Sequence, residues 1–492
     1  MVGVMIEAGT RLVPMLIGGE WVESAASETL EVENPAKKEP VARVPRGRAA
    51  DIDRAVRAAR AAFPAWKRTA ARERGKLMLA IAERFDARAE EIGRLIALET
   101  GNALRTQSRP EAKGSADLFR YFGGVTGELK GDTIPLTDDM LCYTRREPYG
   151  VVGAIIPWNS PVILGSMKIA MAIGAGNTIV LKAAEDAPLA VLEVAKICNE
   201  VLPKGVVNVV TGYGEEAGAA LAEHPGVDKL SFTGSTEVGK SIMRHASDRI
   251  VPVSLELGGK SPNIVCADAD EAKVVDGVIT AMRFTRQGQS CTAGSRLFLH
   301  ESIFDSFLDK LTAKVRTLHI GDPLLEETDM GSIINRKQYD RVCGYIEEGL
   351  GQKDARLLTG GKPPSDGPLA QGYFVEPTIF GHVRNEWRIA REEIFGPVLV
   401  AIPWKTEEDV LRMANDSHYG LAGFVWTHDV GRGLRMVHEI DSGFVQLNQG
   451  FGQFAGQPYG GFKQSGIGKE FALDGMLNGF TRSKTVTVGL TL

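Results

Sequence analysis

Residues 151–182, VVGAIIPWNSPVILGSMKIAMAIGAGNTIVLK, decide the fold of this chain. Residues 151–156 form an apolar run that is typical of a fully buried strand, and residues 177–182 form a second one. Residues 162–175, between them, have helical character. A strand, a helix and a strand at this spacing predict a βαβ unit in a parallel sheet, with a right-handed crossover.

The same alternation continues towards the carboxyl terminus. Residues 188–201 are predicted as a helix, residues 206–210 and 228–233 as strands, and a further helix opens at Gly234. A second α/β section follows over residues 259–470, with strands near 261–265, 296–300 and 398–402. The predicted fold class is α/β, and sheets of this kind bind ligands at the carboxyl ends of their strands.

The flanking segments predict a hairpin, a group of helices and an end strand. Residues 15–22 predict a hairpin around Gly18 and Gly19, and residues 51–101 carry the apolar spacing of helices. Residues 485–492 alternate apolar and polar side chains, which predicts a strand with one buried face. A strand at the chain end needs a partner, such as another subunit.

Composition excludes several classes of function. The 492 residues include 57 Lys and Arg against 62 Asp and Glu, a net charge of −5, and 43% are hydrophobic. This is an ordinary soluble composition for two or three domains. No basic stripe predicts nucleic-acid binding, and no apolar run approaches the roughly 18 residues of a membrane span.

Cysteine usage points to a reducing compartment. The five cysteines are Cys142, Cys198, Cys266, Cys291 and Cys343; their number is odd and no CxxC pair occurs. Free thiols are therefore expected, and a cytoplasmic location is predicted. Metal-ligand spacing is absent, so no metal site is predicted.

The segment FTRQGQSCTAGSR, residues 284–296, contains a candidate nucleophile. It surrounds Cys291 with small and polar residues, and a thiol becomes a strong nucleophile once it is ionised. The flanking glycines let backbone and substrate approach closely. From this segment alone, a buried structural cysteine is an equally good interpretation.

Two further side chains follow apolar strands. Glu256 comes directly after the apolar residues 251–255 and before Gly258 and Gly259, where a carboxylate can act as a general base. Asn159, within PWNSP (157–161), can donate an N–H to a developing oxyanion. The alternatives are a surface ion pair for the glutamate and a turn residue for the asparagine.

Two other strand ends carry candidate cofactor contacts. FTGSTEVG (232–239) passes from a strand through a glycine turn into a helix, which presents backbone N–H groups to a phosphate. Its spacing departs from the GxGxxG pattern. Lys182 and Glu185 follow another strand and can hold ribose hydroxyls; the alternative is two solvated charges.

Taken together, these motifs resemble the aldehyde dehydrogenase superfamily, in this order and over essentially the whole chain. The resemblance rests on PWNSP (157–161), GNTIVLKAAEDAP (176–188), FTGSTEVG (232–239), LELGGKSP (255–262), GQSCTAGSR (288–296), EEIFGPV (392–398) and PYGGFKQSG (458–466).

The resemblance implies a mechanism and assigns the catalytic residues. Cys291 attacks the aldehyde carbon, and Asn159 with the backbone N–H of Cys291 holds the oxyanion of the thiohemiacetal. Hydride transfer to the nicotinamide leaves a thioester, which water activated by Glu256 hydrolyses to the carboxylic acid. Lys168 is also implied as a catalytic residue.

The implied cofactor is NAD, with NADP as the alternative. Glu185 near the ribose 2′-hydroxyl should repel a 2′-phosphate, which favours NAD. The residues implied to bind the cofactor are Ile155, Pro157, Trp158, Lys182, Glu185, Gly214, Gly218, Phe232, Gly234, Ser235, Val238, Leu257, Gly258, Gln338, Glu393 and Phe395.

The family's pocket positions correspond to a further set of residues here. Arg286 departs from the neutral residue often found at its position. It either binds a carboxylate of a semialdehyde substrate, or it pairs with a protein acid or faces solvent. The implied pocket residues are Ser160, Leu164, Met167, Thr285, Arg286, Ser290, Thr292, Phe451, Gln453 and Tyr459.

The resemblance also implies a domain plan and an oligomer. Residues 1–130 and 149–258 form a Rossmann-like NAD(P)-binding domain, and residues 259–470 form the catalytic domain. Residues 131–148 and 471–492 form a small β arm that extends a neighbour's sheet in a homodimer or homotetramer.

Two other functions remain to be compared. The first is a coenzyme A-acylating enzyme, which the presence of Glu256 argues against. The second is a non-catalytic binding protein, which the joint presence of Cys291, Glu256 and Asn159 argues against.

Overall fold

The computed structural model describes residues 11–491 and confirms the predicted α/β class. Its strands are β1 (Met15–Ile17), β2 (Glu20–Val22), β3 (Thr29–Asn34), β4 (Glu39–Pro45), β5 (Thr133–Ile134), β6 (Met140–Pro148), β7 (Val151–Ile155), β8 (Thr178–Lys182), β9 (Val207–Val210), β10 (Lys229–Thr233), β11 (Val253–Glu256), β12 (Pro262–Val265), β13 (Arg296–His300), β14 (Arg356–Thr359), β15 (Thr378–Gly381), β16 (Val398–Trp404), β17 (Tyr419–Gly420), β18 (Ala422–Trp426), β19 (Phe444–Leu447), β20 (Phe462–Lys463), β21 (Gly466–Ile467) and β22 (Thr481–Gly489).

The helices connect and cover these strands. They are α1 (Ala49–Arg68), α2 (Ala71–Ala87), α3 (Ala89–Thr100), α4 (Arg109–Val125), α5 (Pro161–Gly174), α6 (Leu189–Val201), α7 (Ala219–Glu223), α8 (Thr236–Ser247), α9 (Ala272–Met282), α10 (Phe304–Val315), α11 (Arg336–Leu350), α12 (Arg388–Arg391), α13 (Glu407–Asn415), α14 (Val430–Glu439) and α15 (Leu473–Phe480).

The first sheet contains the segment that decided the fold. Its order is β2-β1-β9-β8-β7-β10-β11-β21, and the strands from β9 to β11 run parallel. Ile155 lies opposite both Lys182 and Phe232, and Thr233 lies opposite Glu256. The loops after β7, β8, β10 and β11 therefore leave the sheet at one edge.

The second sheet has the order β14-β15-β16-β13-β12-β18-β19 and is parallel from β15 to β19. Residues 257–261 join the carboxyl end of β11 directly to the amino end of β12. The segments holding Cys291 and Glu393 precede β13 and β16. The carboxyl edge of the first sheet thus faces the amino edge of the second.

A separate three-stranded sheet has the order β22-β6-β5. Strand β22 pairs antiparallel with β6 over its full length, from Thr481 opposite Pro148 to Gly489 opposite Met140. The predicted strand at the chain end is confirmed. Its predicted buried face is wrong for the single chain, where Val488 and Leu490 are 41% and 59% exposed. The domain boundaries stay a prediction.

Helix boundaries mostly follow the sequence, and their differences have local causes. Helix α5 occupies the predicted helical segment and is buried along almost its whole length. The helix expected from Gly234 begins at Thr236, because the Ser235 side chain accepts the N–H of Val238 and caps it (3.3 Å). Gly101 ends α3 in the left-handed conformation, with φ of 75°.

Residues 11–491 contain neither a membrane-spanning helix nor a metal-binding cluster. No helix there combines the length and the apolar character that crossing a membrane requires. No group of three or more His, Cys, Asp or Glu side chains there is arranged to hold a metal ion. The five cysteines are free, and the cytoplasmic location stays a prediction.

Candidate active site

Cys291 lies between the two sheets, in the segment that leads into β13. Its carbonyl oxygen packs onto Gly259, where a Cβ atom would come within 2.4 Å of it. Only glycine permits that approach, which brings the chain after β11 against the candidate nucleophile. The motifs LELGGKSP and GQSCTAGSR therefore contact each other through their backbones, at Gly259 and Cys291.

The thiol of Cys291 is partly buried and has one polar neighbour. Its Sγ lies 3.4 Å from the hydroxyl of Tyr459. Burial raises the pKa of Cys291 to about 11, while the hydrogen bond with Tyr459 and the charge of Arg286 lower it. The sulfur is thus held mainly as the thiol at neutral pH in the protein alone.

Asn159 is fixed beside Cys291 from both ends. Its side-chain amide donates to the carbonyl oxygen of Gln289 (3.0 Å), two residues before Cys291. Its own carbonyl oxygen accepts from the side chain of Asn102 (3.2 Å). Since the amide retains a second N–H, it can donate to an oxygen that becomes negatively charged.

Glu256 is a buried carboxylate whose two oxygens have no hydrogen-bond partner among the described residues. It packs against Gly460, where a Cβ would lie 2.8 Å from its Oε1, and so stands next to Tyr459. Burial raises its pKa well above the ordinary value, and the nearby Glu470 raises it further. Lys168 and Lys469 oppose this increase. An unpartnered carboxylate of raised pKa has the properties of a general base.

Lys168 does not contact Cys291. It projects from α5 into the core, where its Nζ bonds both oxygens of Glu470 (3.0 and 3.1 Å) and the hydroxyl of Ser231 (2.8 Å). Both ionised side chains are fully buried. Lys168 therefore influences Glu256 through charge, and its implied catalytic role stays a prediction.

The adenosine end of the predicted cofactor site lies at the ends of β8 and β10. Lys182 and Glu185 form an ion pair of 2.6 Å, with Lys182 almost fully buried. Asp186 stands beside them, and burial raises its pKa to about 6. Gly234 and Ser235 lead into α8, whose N-terminus supplies backbone N–H groups at the same edge.

The nicotinamide end combines residues from both sheets. Glu393 accepts the N–H of Gly259 (2.9 Å), and burial raises its pKa to about 7. Gln338 donates to the carbonyl oxygen of Phe395 (2.8 Å), and the ring of Phe395 meets Trp158 edge-to-face at 5.4 Å. These acceptors, the aromatic wall and the helix N-terminus fit a dinucleotide laid along the strand ends.

The remaining residues of the predicted cofactor set follow the same strands. Ile155, Phe232 and Leu257 are buried at the ends of β7, β10 and β11, and Pro157 and Gly258 lie in the loops that follow. Gly214 and Gly218 bound one helical turn after β9, and Val238 is exposed on α8. Their roles remain predictions.

The predicted substrate residues come from several segments of the chain. Ser160, Leu164 and Met167 belong to the start of α5, and Ser290 and Thr292 flank the sulfur, with their hydroxyls 3.2 Å apart. Phe451 is 55% exposed, in the same loop as Gln453. That these residues together line a substrate pocket stays a prediction.

Sequence reasoning missed two side chains at this pocket. Gln107 bonds both Thr285 (2.7 Å) and Arg286 (3.0 Å), although it comes from a helical turn 178 residues earlier. Arg283 holds the carbonyl oxygens of Gly450 (2.9 Å) and Phe451 (2.8 Å). No local pattern marks either residue, because both act through distant parts of the chain.

Comparison with known proteins agrees with this geometry. The family model described as the aldehyde dehydrogenase family matches residues 21–486. DhaS of Bacillus subtilis (strain 168), which is named as an aldehyde dehydrogenase, is 40% identical over 482 residues, 97% of this chain and 95% of that protein.

Two solved structures are similarly close. An NAD⁺ complex of aldehyde dehydrogenase from Bacillus cereus superposes with a TM-score of 0.95 at 40% identity, covering 98% of this chain and 97% of that one. PnpE from Pseudomonas sp. WBC-3, in complex with nicotinamide adenine dinucleotide, gives the same TM-score and identity over 98% of both chains. The chain belongs to the aldehyde dehydrogenase family.

Proposed function

We propose that this protein oxidises an aldehyde to the free carboxylic acid with NAD, through a covalent intermediate on Cys291. The observation that supports the proposal is that three reactive side-chain groups lie together at the strand ends. The thiol of Cys291, the amide donor at Asn159 and the Glu256 carboxylate, which has no hydrogen-bond partner within residues 11–491, lie near the ends of the first sheet's strands, beside residues that fit a dinucleotide.

Formation of the intermediate depends on the thiol and the amide. The thiol of Cys291 releases its proton to water, its sulfur bonds to the aldehyde carbon, and the carbonyl oxygen gains the negative charge. The second N–H of Asn159 and the backbone N–H of Cys291 stabilise that oxygen, and one such donor contributes about 2.7–4 kcal/mol in a comparable enzyme. Bound NAD supplies the two-electron acceptor for the hydride that leaves the aldehyde carbon.

Release of the acid depends on Glu256. Its raised pKa and free oxygens allow it to take a proton from water as that water attacks the thioester carbon. The carbon–sulfur bond then breaks and the thiol is restored. A coenzyme A-acylating reaction has no need of this base, so Glu256 supports hydrolysis over that alternative.

Replacing the nucleophile tests the covalent step. Cys291→Ala should reduce kcat by roughly 10⁴-fold or more, because no thioester can form. NADH binding, followed by fluorescence titration, should stay at the parental affinity and serves as the folding control. Parental turnover by a folded Cys291→Ala protein would contradict the proposal.

Replacing the base tests the hydrolytic step. Glu256→Gln should lower the steady-state kcat by about 10²- to 10⁴-fold. Mass spectrometry of the quenched reaction should then find the acyl group on Cys291, whereas the parental enzyme shows little. An unchanged kcat excludes Glu256 as the base, and release of an acyl-coenzyme A by the parental enzyme when coenzyme A is added favours the acylating alternative.

Glu185 is proposed to set the preference for NAD. Its carboxylate pairs with Lys182 at the predicted ribose position. There it repels a 2′-phosphate, and the ion pair also uses the ammonium group of Lys182 that would otherwise bind that phosphate. Glu185→Gln should raise kcat/KM for NADP relative to NAD by about tenfold. Glu193→Gln, on the outer part of α6, is the matched control, and an unchanged ratio in Glu185→Gln removes this residue from the explanation.

We also propose a homodimer or homotetramer built through the sheet of β22, β6 and β5. Strand β22 is an edge strand with an open row of backbone groups, and the apolar side chains of Met140, Leu141, Val488 and Leu490 are exposed around it. Light scattering of the full chain at micromolar concentration should give a dimer or tetramer. Val488→Lys combined with Leu490→Lys should lower the mass, and a monomeric parental protein would end the proposal.

A further inference from the structure

Arg286 is the last residue of the short helical turn Phe284–Arg286 that precedes Cys291, and it belongs to the predicted substrate pocket. Its Nη1 donates to the hydroxyl of Ser160 (2.7 Å), and its Nε donates to the side-chain oxygen of Gln107 (3.0 Å). Both partners are neutral. Ser160 directly follows Asn159, so the guanidinium lies beside the residue proposed to hold the reacting oxygen.

The charge of Arg286 has no direct counter-ion in the described part of the chain. Within residues 11–491, no Asp or Glu oxygen lies within 4.0 Å of its nitrogens. A guanidinium has five N–H groups, and the two hydrogen bonds above use only two of them. The side chain is half-buried, so donors remain available to a ligand in the pocket.

The charge of Arg286 affects the pKa of the Glu111 carboxyl group, but Glu111 forms its hydrogen bonds with α5. One oxygen of Glu111 accepts the backbone N–H groups of Val162 (3.0 Å) and Ile163 (3.2 Å), at the start of α5. Burial raises the pKa of Glu111, although Arg286 opposes the increase. Glu111 therefore orients α5 through this oxygen; its other oxygen has no hydrogen-bond partner within residues 11–491 and lies more than 4.0 Å from the guanidinium nitrogens.

A second arginine adds positive charge on the same side. Arg283 bonds only carbonyl oxygens, those of Thr280, Gly450 and Phe451, and it also has no carboxylate within 4.0 Å in residues 11–491. Two half-buried cations with no Asp or Glu oxygen within 4.0 Å in residues 11–491 favour an anionic ligand, because a partly desolvated charge is costly unless it is paired.

We propose that Arg286 binds a carboxylate carried by the substrate, so that the preferred aldehydes are ω-carboxyaldehydes. The proposal rests on the aldehyde-oxidising function above and specifies its substrate class. Gln107 and Ser160 hold the Nε and Nη1 of the guanidinium, and its Nη2, which has no hydrogen-bond partner within residues 11–491, can form a charge-assisted bond to the carboxylate. Arg286 is thus a specificity-determining residue, and a substrate acid group supplies its missing counter-ion.

The test compares two matched aldehyde series with NAD: unbranched ω-carboxyaldehydes of four to six carbons, and unsubstituted aldehydes of the same length. Parental enzyme should favour the acids in kcat/KM. Arg286→Gln should lower kcat/KM for the acids by about tenfold to a hundredfold, through KM, because one charged hydrogen bond is lost. Arg286 also acts on the Cys291 thiol through its charge, so kcat/KM for the neutral series can fall too, and the kcat/KM ratio of acids to neutral aldehydes should fall by about tenfold or more.

Two further variants separate charge, geometry and folding. Arg286→Lys keeps the charge but loses the planar fork, and it should recover part of the preference for acids. Arg57→Gln, an exposed arginine on α1, is the control and should match the parental enzyme in both series. Thermal unfolding of each variant establishes that it is folded.

Three outcomes would overturn the proposal. The first is that the parental enzyme has equal kcat/KM for the two series. The second is that Arg286→Gln loses kcat/KM equally in both series. The third applies if Arg286→Gln does not fold: Arg286→Lys then shows the parental KM for neutral aldehydes but no preference for acids. If the parental enzyme oxidises neither series, the proposed function itself fails. Oxidation of the neutral series alone leaves that function standing and removes only the role of Arg286.

Discussion

The parallel register of β7, β8, β10 and β11 is the constraint on which the site depends. Because Ile155 is opposite Lys182 and Phe232, and Thr233 is opposite Glu256, four loops begin at one level. A shift by one residue would turn every side chain of a strand to the other face of the sheet. The fully buried strands forbid such a shift, so core packing also fixes the positions of the amide, the ribose contacts and the base.

A group of buried charges behind the site depends on the same packing. Lys168 reaches Glu470 and Ser231 in the core, and Lys229 donates to Ser254 (2.6 Å), while burial lowers the pKa of Lys229 to about 7. Buried ion pairs add little net stability, since desolvation offsets their attraction. Their consequence here is electrostatic: burial raises the pKa of Glu256 most, the charge of Glu470 raises it further, and the charge of Lys168 lowers it.

The sequence predicted what depends on local pattern and failed where distant segments meet. Apolar runs bounded by turn residues located β7, β8 and β10, and the family motifs located Cys291, Glu256 and Asn159. The bond between Gln107 and Arg286 joins residues 179 positions apart, and the pair Lys168–Glu470 joins residues 302 apart. No helical or strand period encodes such contacts, because tertiary packing alone brings the partners together. The tail strand shows the same limit: its alternation predicted a strand, but not which molecule would cover its apolar face.

The charged groups around the sulfur of Cys291 are arranged unevenly. Glu256 and Glu393 raise the pKa of the Cys291 thiol, and Arg286 lowers it, so the sulfur stands between negative groups and a positive one. These groups come from different segments: Glu256 ends β11, Glu393 precedes β16, and Arg286 lies on the turn before Cys291 itself. An anionic substrate is repelled by the carboxylates and attracted by the guanidinium. An acid group that binds Arg286, as proposed, is therefore held on the side of the sulfur away from the two carboxylates.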